Sequence, residues 1–553
     1  MKILILGGYG VFGGRLAALL SDLPELTILI AGRSREKAEA FCRKIDGQAT
    51  LVPIAIDRSL VVSFLETENP DILVDASGPF QGYGDDPYSV IEACLKAKVH
   101  YLDLADAADF VVGVSQFDVQ AKSAGLVILS GVSSFPVLTA AVVNELSKDM
   151  TPLSIKGGIA PSPFAGVGMN VMRAVVGYAG SPVKLTRKGK MTIAKGLTES
   201  MRYTVAPPGM LPLNSIHFSL VDVPDLQLLP LANPSVEDIW IGAGPVPESL
   251  HRLLNLLAKL RSGLRLPSLA PLAPLCYRVL NKMKNGEHRG GMFVEVTGNR
   301  RDEIVTKSWH MLAEGDDGPY IPSMAVETVV RKWLEGAQLR PGARPATNEL
   351  DLADYERAFV NRSIFHGVRS SEDMKGTLYQ AALGSAFSDL PAKVQQLHSE
   401  QSTSQWRGQA QVIRGKGLLA SLVAWFNGFP KATDAIDVTV SFTPTEKGEG
   451  WQRDFGGKKF FSFQALGTGR YAGLVTERFG PMTVGLATVV KDSRLYLIPR
   501  RWSFLGLPLP KFLLPGGESF EEEVGGRFRF DVRIELPVVG LVVAYKGWLE
   551  VTD

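Results

Sequence analysis

Residues 3–14 read ILILGGYGVFGG, four apolar residues running into a cluster of glycines. The spacing Gly8-x-Gly10-x-x-Gly13 follows a strand pattern, Ile3 to Leu6, and opens a helical one in which Val11, Phe12, Leu16, Ala17 and Leu20 recur. In that setting the first glycine permits a tight turn and the second lets the backbone approach a pyrophosphate. The third lets the helix pack close to the strand, and the helix N-terminus faces the phosphate charge. The stretch predicts a dinucleotide-binding loop made of Gly8, Tyr9, Gly10, Val11, Phe12 and Gly13.

Working outward, strands and helices alternate. LTILIAGR (26–33), ATLVPIAID (49–57), DILVDASG (71–78), VHYLDLAD (99–106) and GLVILSG (125–131) read as further strands with helical patterns between them. Near-continuous apolar strands separated by helices predict a parallel sheet covered on both faces. Residues 1–148 are therefore expected to form a doubly wound nucleotide-binding domain.

Beyond 148 the texture changes. VEVTGNRRDEIVTKSWHMLAEG (294–315) alternates around Gly298-Asn299 and predicts an antiparallel hairpin turning there. PSMAVETVVRKWLEG (322–336) predicts a helix that returns to the first domain, closing an α/β substrate domain over 149–340. Residues 341–370 read as a Pro/Gly-bearing connector. From 371 a helical stretch is followed by eight runs with turn residues between them, which predict a separate, mainly antiparallel β domain over 371–553. Two of its segments, 415–429 and 505–517, are too apolar or too proline-rich for ordinary surface elements. They either fold over the sheet as core or line a pocket for an acyl or isoprenoid chain.

The chain of 553 residues is 45% hydrophobic and 21% charged, the composition of an ordinary globular protein, and its net charge of +2 gives no ground for nucleic-acid binding. Three cysteines far apart (Cys42, Cys94, Cys276) argue against a disulfide framework and suit a reducing cytoplasm. No apolar window reaches about 18 residues, so no membrane span is expected. Peripheral membrane association stays open through residues 251–290, which carry eight Lys/Arg against the single acid Glu287. There Leu253, Leu257, Leu260 and Leu264 share a helical face, read either as an amphipathic helix packed on the sheet or as a basic, apolar surface for a membrane or an acyl carrier.

The cofactor's ribose is read at the end of the second strand. NAD-selective domains carry an acid about 20 positions past the glycines. Here AGRSREK places Arg33 and Ser34 at that point, which suits the 2′-phosphate of NADP. Asp57 either meets the adenine amine or caps the helix beginning at Arg58. The Ser77-Gly78-Pro79 turn follows strand four and should pass under the nicotinamide ribose. Tyr83 is a candidate proton donor, or a packed loop tyrosine. Asp103 and Asp106 end strand five, the functional edge of such sheets, although Asp106 is also placed to be an N-cap. His100 reads as a satisfied core histidine.

DASGPFQGYGDDPYSVIEACLKAKVHYLDLAD (75–106), with the glycine loop, AGR and the later SGVSSFP, resembles the saccharopine-dehydrogenase-like reductases over residues 1–340. Residues 375–553, with ERFGPMTVGLA, LGLPLPKFLLP, GRFRFDV and YKGWL, resemble a bacterial domain of unknown function fused behind such reductases, of the DUF4166 type. The first resemblance implies a Rossmann domain, an α/β substrate domain and NADPH-dependent hydride transfer to imino or amino acids, or to unsaturated lipid and polyketide intermediates. Two departures stand out. Ala105-Asp106 replaces the family's Gly-Glu pair, and Gly131-Val132-Ser133-Ser134-Phe135-Pro136 lacks the family's Asp. Their absence points away from a polar substrate handled through those acids. The expectation is thus an NADP-dependent reductase of a hydrophobic or carrier-bound ketone or enoyl compound. An amino-acid imine reductase and a non-catalytic nucleotide-binding or redox-sensing scaffold are the alternatives, and a homodimer is left open. None of the 13 tyrosines has a lysine four residues on, and neither the histidines nor the cysteines are spaced for a metal, so none is expected.

Overall fold

The computed structural model describes residues 1–553 except 167, 285, 400, 401, 427 and 553, and of Phe426 the backbone only. The chain folds as two compact units: Met1–Arg202, Ile216–Thr306 and Leu312–Phe365 in one, Tyr203–Ser215, Lys307–Met311 and His366–Asp553 in the other. No single cut in the sequence separates them.

The first unit opens with strands β1 (Lys2–Leu6), β2 (Thr27–Gly32), β3 (Thr50–Ala55), β4 (Ile72–Asp75), β5 (His100–Asp103) and β6 (Val127–Ser130). All pair in parallel in the order β6-β5-β4-β1-β2-β3. Ile3, Leu4, Ile5, Ile28, Ile30, Ile72 and Leu73 are fully buried, as helices on both faces require. The strand order reverses between β1 and β4, and there the loops after the two strands lie side by side. A seventh parallel strand, Gly342–Pro345, joins β6. It comes from the stretch expected to be a connector, which also forms the helix Leu352–Phe359. Its Pro and Gly mark the ends of these elements rather than an absence of structure. An Asp351/Asp354 capping box starts that helix, and Lys332 Nζ reaches the buried Asp354 at 2.8 Å.

A second sheet of this unit carries Ser200–Tyr203, Ile216–Leu220, Asp238–Ala243, Thr151–Ala160 and Arg289–Arg300 in that order. The hairpin after Arg289–Arg300 turns at Arg301-Asp302, both in the left-handed region (φ 51° and 69°), and not at Gly298-Asn299. A two-residue hairpin needs positive φ at both central positions. Asn299 Oδ1 secures this one by accepting the Asp302 N–H at 2.9 Å. Gly298 is instead a bulge, where a Cβ would lie 2.5 Å from the Thr151 carbonyl oxygen. The helix Ile321–Leu334 does lie against the first domain: Ser323 Oγ donates to the Phe12 carbonyl at 3.0 Å and Arg331 Nη2 to that of Leu19 at 2.9 Å.

The second unit is a closed barrel of ten antiparallel strands. From Ser404–Arg414 onward each long strand pairs with the next in sequence, and the last, Gly540–Val551, pairs back with the first. Closure leaves no sheet edge exposed among these strands. Two strands escape the sequence pattern. Ser404–Arg414 is interrupted by polar residues, and Ser519–Val524 (SFEEEV) looks like a charged loop although Glu521 points inward and is buried.

Candidate functional site

The site begins at the glycine loop. The left-handed residue is Gly7 (φ 74°), one position before the motif, and its amide neighbours set the turn: Gly8 N–H donates to Ala31 O at 2.9 Å and Gly10 N–H to Gly7 O at 2.8 Å. Gly8 is therefore needed for closeness rather than for the turn itself, since a Cβ there would lie 2.9 Å from the Ile5 carbonyl oxygen and 3.1 Å from the Ile30 Cα. At Gly13 a Cβ would fall 2.4 Å from the Gly7 oxygen, so the helix α1 (Val11–Leu20) rests directly on the loop. Gly10 caps α1 without a side-chain hydrogen bond, and Gly10 and Val11 are exposed while Phe12 is half-buried. An uncapped helix end over bare backbone fits the pyrophosphate of a dinucleotide.

Around this cradle stand the other cofactor candidates. Tyr9 covers Gly32, and its hydroxyl accepts the Ser34 N–H at 3.0 Å. Ser34 in turn caps the helix Arg35–Cys42. Arg33 is exposed at the end of β2. Asp57 accepts from the Ser59 N–H and hydroxyl at 3.1 and 2.9 Å, so it is a cap. Those two bonds, and then the Arg33 charge, hold its carboxyl below the usual range.

Beside the glycine loop lies the turn after β4. Asp75, fully buried and not singled out from sequence, organises it: its Oδ1 takes the Ser77 N–H at 2.9 Å and hydroxyl at 2.5 Å, and its Oδ2 the Tyr83 hydroxyl at 3.1 Å. Tyr83 also meets Ser77 Oγ at 2.9 Å, and the Arg58 guanidinium covers its ring. Burial, with the Asp75 charge second, pushes its phenol well above the ordinary value. Tyr83 is thus part of the turn's own scaffolding. Asp103, opposite Asp75 across β4 and β5, behaves similarly. It is fully buried and accepts from the Gly131 and Ala105 N–H groups at 2.7 and 2.9 Å, while burial raises its carboxyl to about 7. It positions two loops and touches no open space. His100 accepts the Val127 N–H at 3.0 Å on Nδ1, a structural role.

Asp106 is different. It is exposed, takes Gln81 Nε2 at 3.2 Å, and caps nothing, because the following helix starts from Ala107 without a side-chain cap. Near it runs the helix Met169–Tyr178, whose Met172 and Val176 pack on the Ala273–Lys282 helix. Its N-terminus meets the glycine loop, where a Cβ on Gly168 would lie 3.2 Å from Val11, and Asn170 Nδ2 donates to the Gly78 carbonyl at 2.7 Å. At its far end stands Tyr178, whose hydroxyl makes no hydrogen bond among the described residues. Burial, then the charges of Asp106 and Asp222, push its phenol well above the ordinary value. Asp222 is itself raised to about 6 by burial, Asp109 and Asp106. Lys184 Nζ completes the group, 2.8 Å from Asp109. Sequence reading missed Tyr178, Asn170, Asp222 and Lys184, because nothing in their spacing ties them to β5. Among the described residues no His/Cys/Asp/Glu cluster could hold a metal.

Residues 251–290 form the helices Glu248–Leu264 and Ala273–Lys282. The first buries His251, Asn255 and Ala258, so Leu253, Leu260 and Leu264 do not pack on the sheet but lie exposed with Leu256, Leu266 and Leu275. Arg261 Nη1 ties this helix to the Tyr178 helix through the Gly177 carbonyl at 2.9 Å. Among the described residues, no helix is long and apolar enough to cross a membrane.

Residues 3–129 match the family described as the saccharopine dehydrogenase NADP binding domain, and residues 390–549 match a domain of unknown function, DUF4166. No curated protein matches the chain. Among solved structures, apo saccharopine dehydrogenase (L-Glu forming) from Saccharomyces cerevisiae is similar at 11% identity over 67% of this chain and 99% of that one, with a TM-score of 0.48. A probable dehydrogenase from Thermotoga maritima aligns at 12% identity over 65% and 93%, TM-score 0.32. A Gfo/Idh/MocA family oxidoreductase from Vibrio cholerae aligns at 10% over 61% and 91%, TM-score 0.29. By the two family matches, residues 3–129 correspond to a saccharopine dehydrogenase NADP binding domain, which supports NADP(H) binding, and residues 390–549 to DUF4166.

Proposed function

We propose that the chain is an NADPH-dependent reductase of a ketone or enoyl group on a hydrophobic, lipid- or polyketide-like substrate. One observation carries this reading: the unengaged Tyr178 hydroxyl stands with Asp106 at the C-terminal edge of the sheet whose glycine loop fits a dinucleotide. When bound, the cofactor supplies a hydride. The chain's own residues do the rest. Gly8, Gly10 and Gly13 admit the pyrophosphate, Arg33 and Ser34 meet the ribose phosphate, and Asp75 fixes the Ser77–Pro79 turn. Tyr178 holds a proton at neutral pH, because burial, and then the carboxylates of Asp106 and Asp222, disfavour the phenolate, and it can release that proton only to a strongly basic centre such as a developing alkoxide or enolate.

The substrate class is supported by the apolar, basic surface beside the Tyr178 helix, which suits a lipid surface or an acidic acyl carrier. A second reading has its own observation: Asp106, Asp109 and Asp222 form an acidic cluster around Lys184, which suits an amine-bearing substrate and hence an imine reductase. NADPH oxidation with long-chain ketones and enoyl thioesters, set against 2-oxo acids with amines, separates the two. Tyr178→Phe should lower turnover at least tenfold while NADPH binding is kept. Normal turnover in that variant would remove Tyr178 from the chemistry, and binding without turnover on any substrate would leave a scaffold.

A further inference from the structure

The ten-stranded barrel of the second unit encloses a cavity of about 540 Å³, within the range of about 300–1,000 Å³ that houses small-molecule ligands. Its wall follows from strand alternation. Val440, Phe455, Leu486, Phe528, Phe530 and Leu549 point inward from five strands and are buried, yet the lumen between them stays open. A barrel that only needed a core would have filled this space, since every unfilled ångström of lining forfeits packing contacts.

The polar groups on the wall are already arranged. Arg453 Nη1 donates to Ser462 Oγ at 2.8 Å and Nη2 to Glu477 at 3.2 Å. His398 Nε2 meets Glu521 at 2.6 Å, and the Tyr379 hydroxyl donates to Gln464 Oε1 at 2.9 Å. Arg533, the other cation on the lining, is held by Glu535 at 2.6 Å. Among the described lining residues each arginine therefore has its own carboxylate inside the cavity wall or beside it. At the rim the wall is apolar and exposed: Leu422 and Phe504 line the cavity while exposed, as are Leu418, Leu419 and Trp425 of segment 415–429 and Leu505, Leu507 and Phe512 of segment 505–517. Segment 415–429 thus does both things expected of it, burying Ala420, Ala424 and Phe429 against the barrel while Leu418, Leu419, Leu422 and Trp425 stay exposed.

From this we infer that the DUF4166 barrel is a binding site for a long hydrocarbon chain with an uncharged polar end, such as an alcohol, a carbonyl or an ester. The chain fills the apolar lumen and the polar end meets the Arg453–Gln464 region. The inference stands apart from the reductase reading, because it concerns uptake alone.

The test uses the full chain and displacement of an environment-sensitive fluorophore by straight-chain alcohols of increasing length, with fatty acids of equal length beside them at pH 7.5. Affinity should rise about three- to fourfold per added methylene and then level off when the lumen is full. The alcohol should bind more tightly than the carboxylate. Val484→Trp and Leu486→Trp, each placing an indole in the lumen, should shorten the length at which affinity levels off; circular dichroism identifies a variant that has merely unfolded. No displacement, or displacement independent of chain length, overturns the site in the wild-type protein alone. A fatty acid that outbinds its alcohol overturns the uncharged end. NADPH binding, read separately, is expected unchanged in both variants.

Discussion

Replacing Arg33 by Asp is the sharpest test of the cofactor reading. A hydrogen bond from a guanidinium to phosphate is worth about 1.5–3 kcal/mol when shielded from solvent, whereas exposed ion pairs give about 0.2–1 kcal/mol. Arg33 is exposed at the end of β2, but it lies beside the Ser34 cap and shares its surroundings with the Asp57 carboxylate, which competes for its charge. The contact should therefore fall between the two classes, about 1–1.5 kcal/mol, which is about a 5- to 12-fold preference for NADPH over NADH. Raising the salt concentration should shrink that ratio, since an exposed charge pair is screened. In Arg33→Asp a second carboxylate joins Asp57 at the ribose site, so NADPH should lose its advantage and NADH become the tighter ligand. Titration of intrinsic fluorescence with both cofactors at two ionic strengths measures this directly. Equal affinities in the wild type, or a preference that survives the substitution, would refute the assignment of Arg33.

Three further outcomes follow from the geometry. Gly13→Ala must push α1 off the loop to relieve a 2.4 Å contact, which should cost about 1–3 kcal/mol in urea unfolding and abolish NADPH binding; a normally stable, normally binding variant would show the loop is looser than described. Asp75→Ala strands the Ser77 N–H and leaves the Ser77 and Tyr83 hydroxyls only each other, so a loss of about 1–3 kcal/mol is expected, with Asp75→Asn costing less; a change below about 0.5 kcal/mol would remove Asp75 as the organiser of the turn. Asp222 carries a carboxyl raised to about 6, so between about pH 4 and 6 the folded state binds more protons than the unfolded one and stability falls as pH rises. Asp222→Asn should lift that penalty, raising stability by about 1–3 kcal/mol at pH 7.5 and by little at pH 4; an equal gain at both pH values would contradict it.

Local chemistry made much of the nucleotide-binding domain legible. An apolar strand, three spaced glycines and a helix are contiguous in the chain, and their meaning depends on backbone conformation and on the packing of neighbours a few residues away. For the same reason the cap at Asp57, one of two readings open for it, was legible, as were a satisfied histidine at position 100 and the long barrel strands. What the sequence could not show depends on groups far apart in it. Asp75 and Asp103 look like strand-end acids until β4 and β5 pair and bury them. Tyr178 gains its character only because helix 169–178 folds over a strand end some 70 residues earlier. The leucines at 253, 260 and 264 share a helical face by periodicity, but the face that meets protein is the one carrying His251, Asn255 and Ala258. Periodicity fixes which residues lie together, not what lies opposite them. The barrel is the extreme case. Its strands are local, whereas its closure is a pairing of Trp406 with Val551 across nearly the whole domain, and the cavity exists only because that closure encloses more volume than the inward side chains fill.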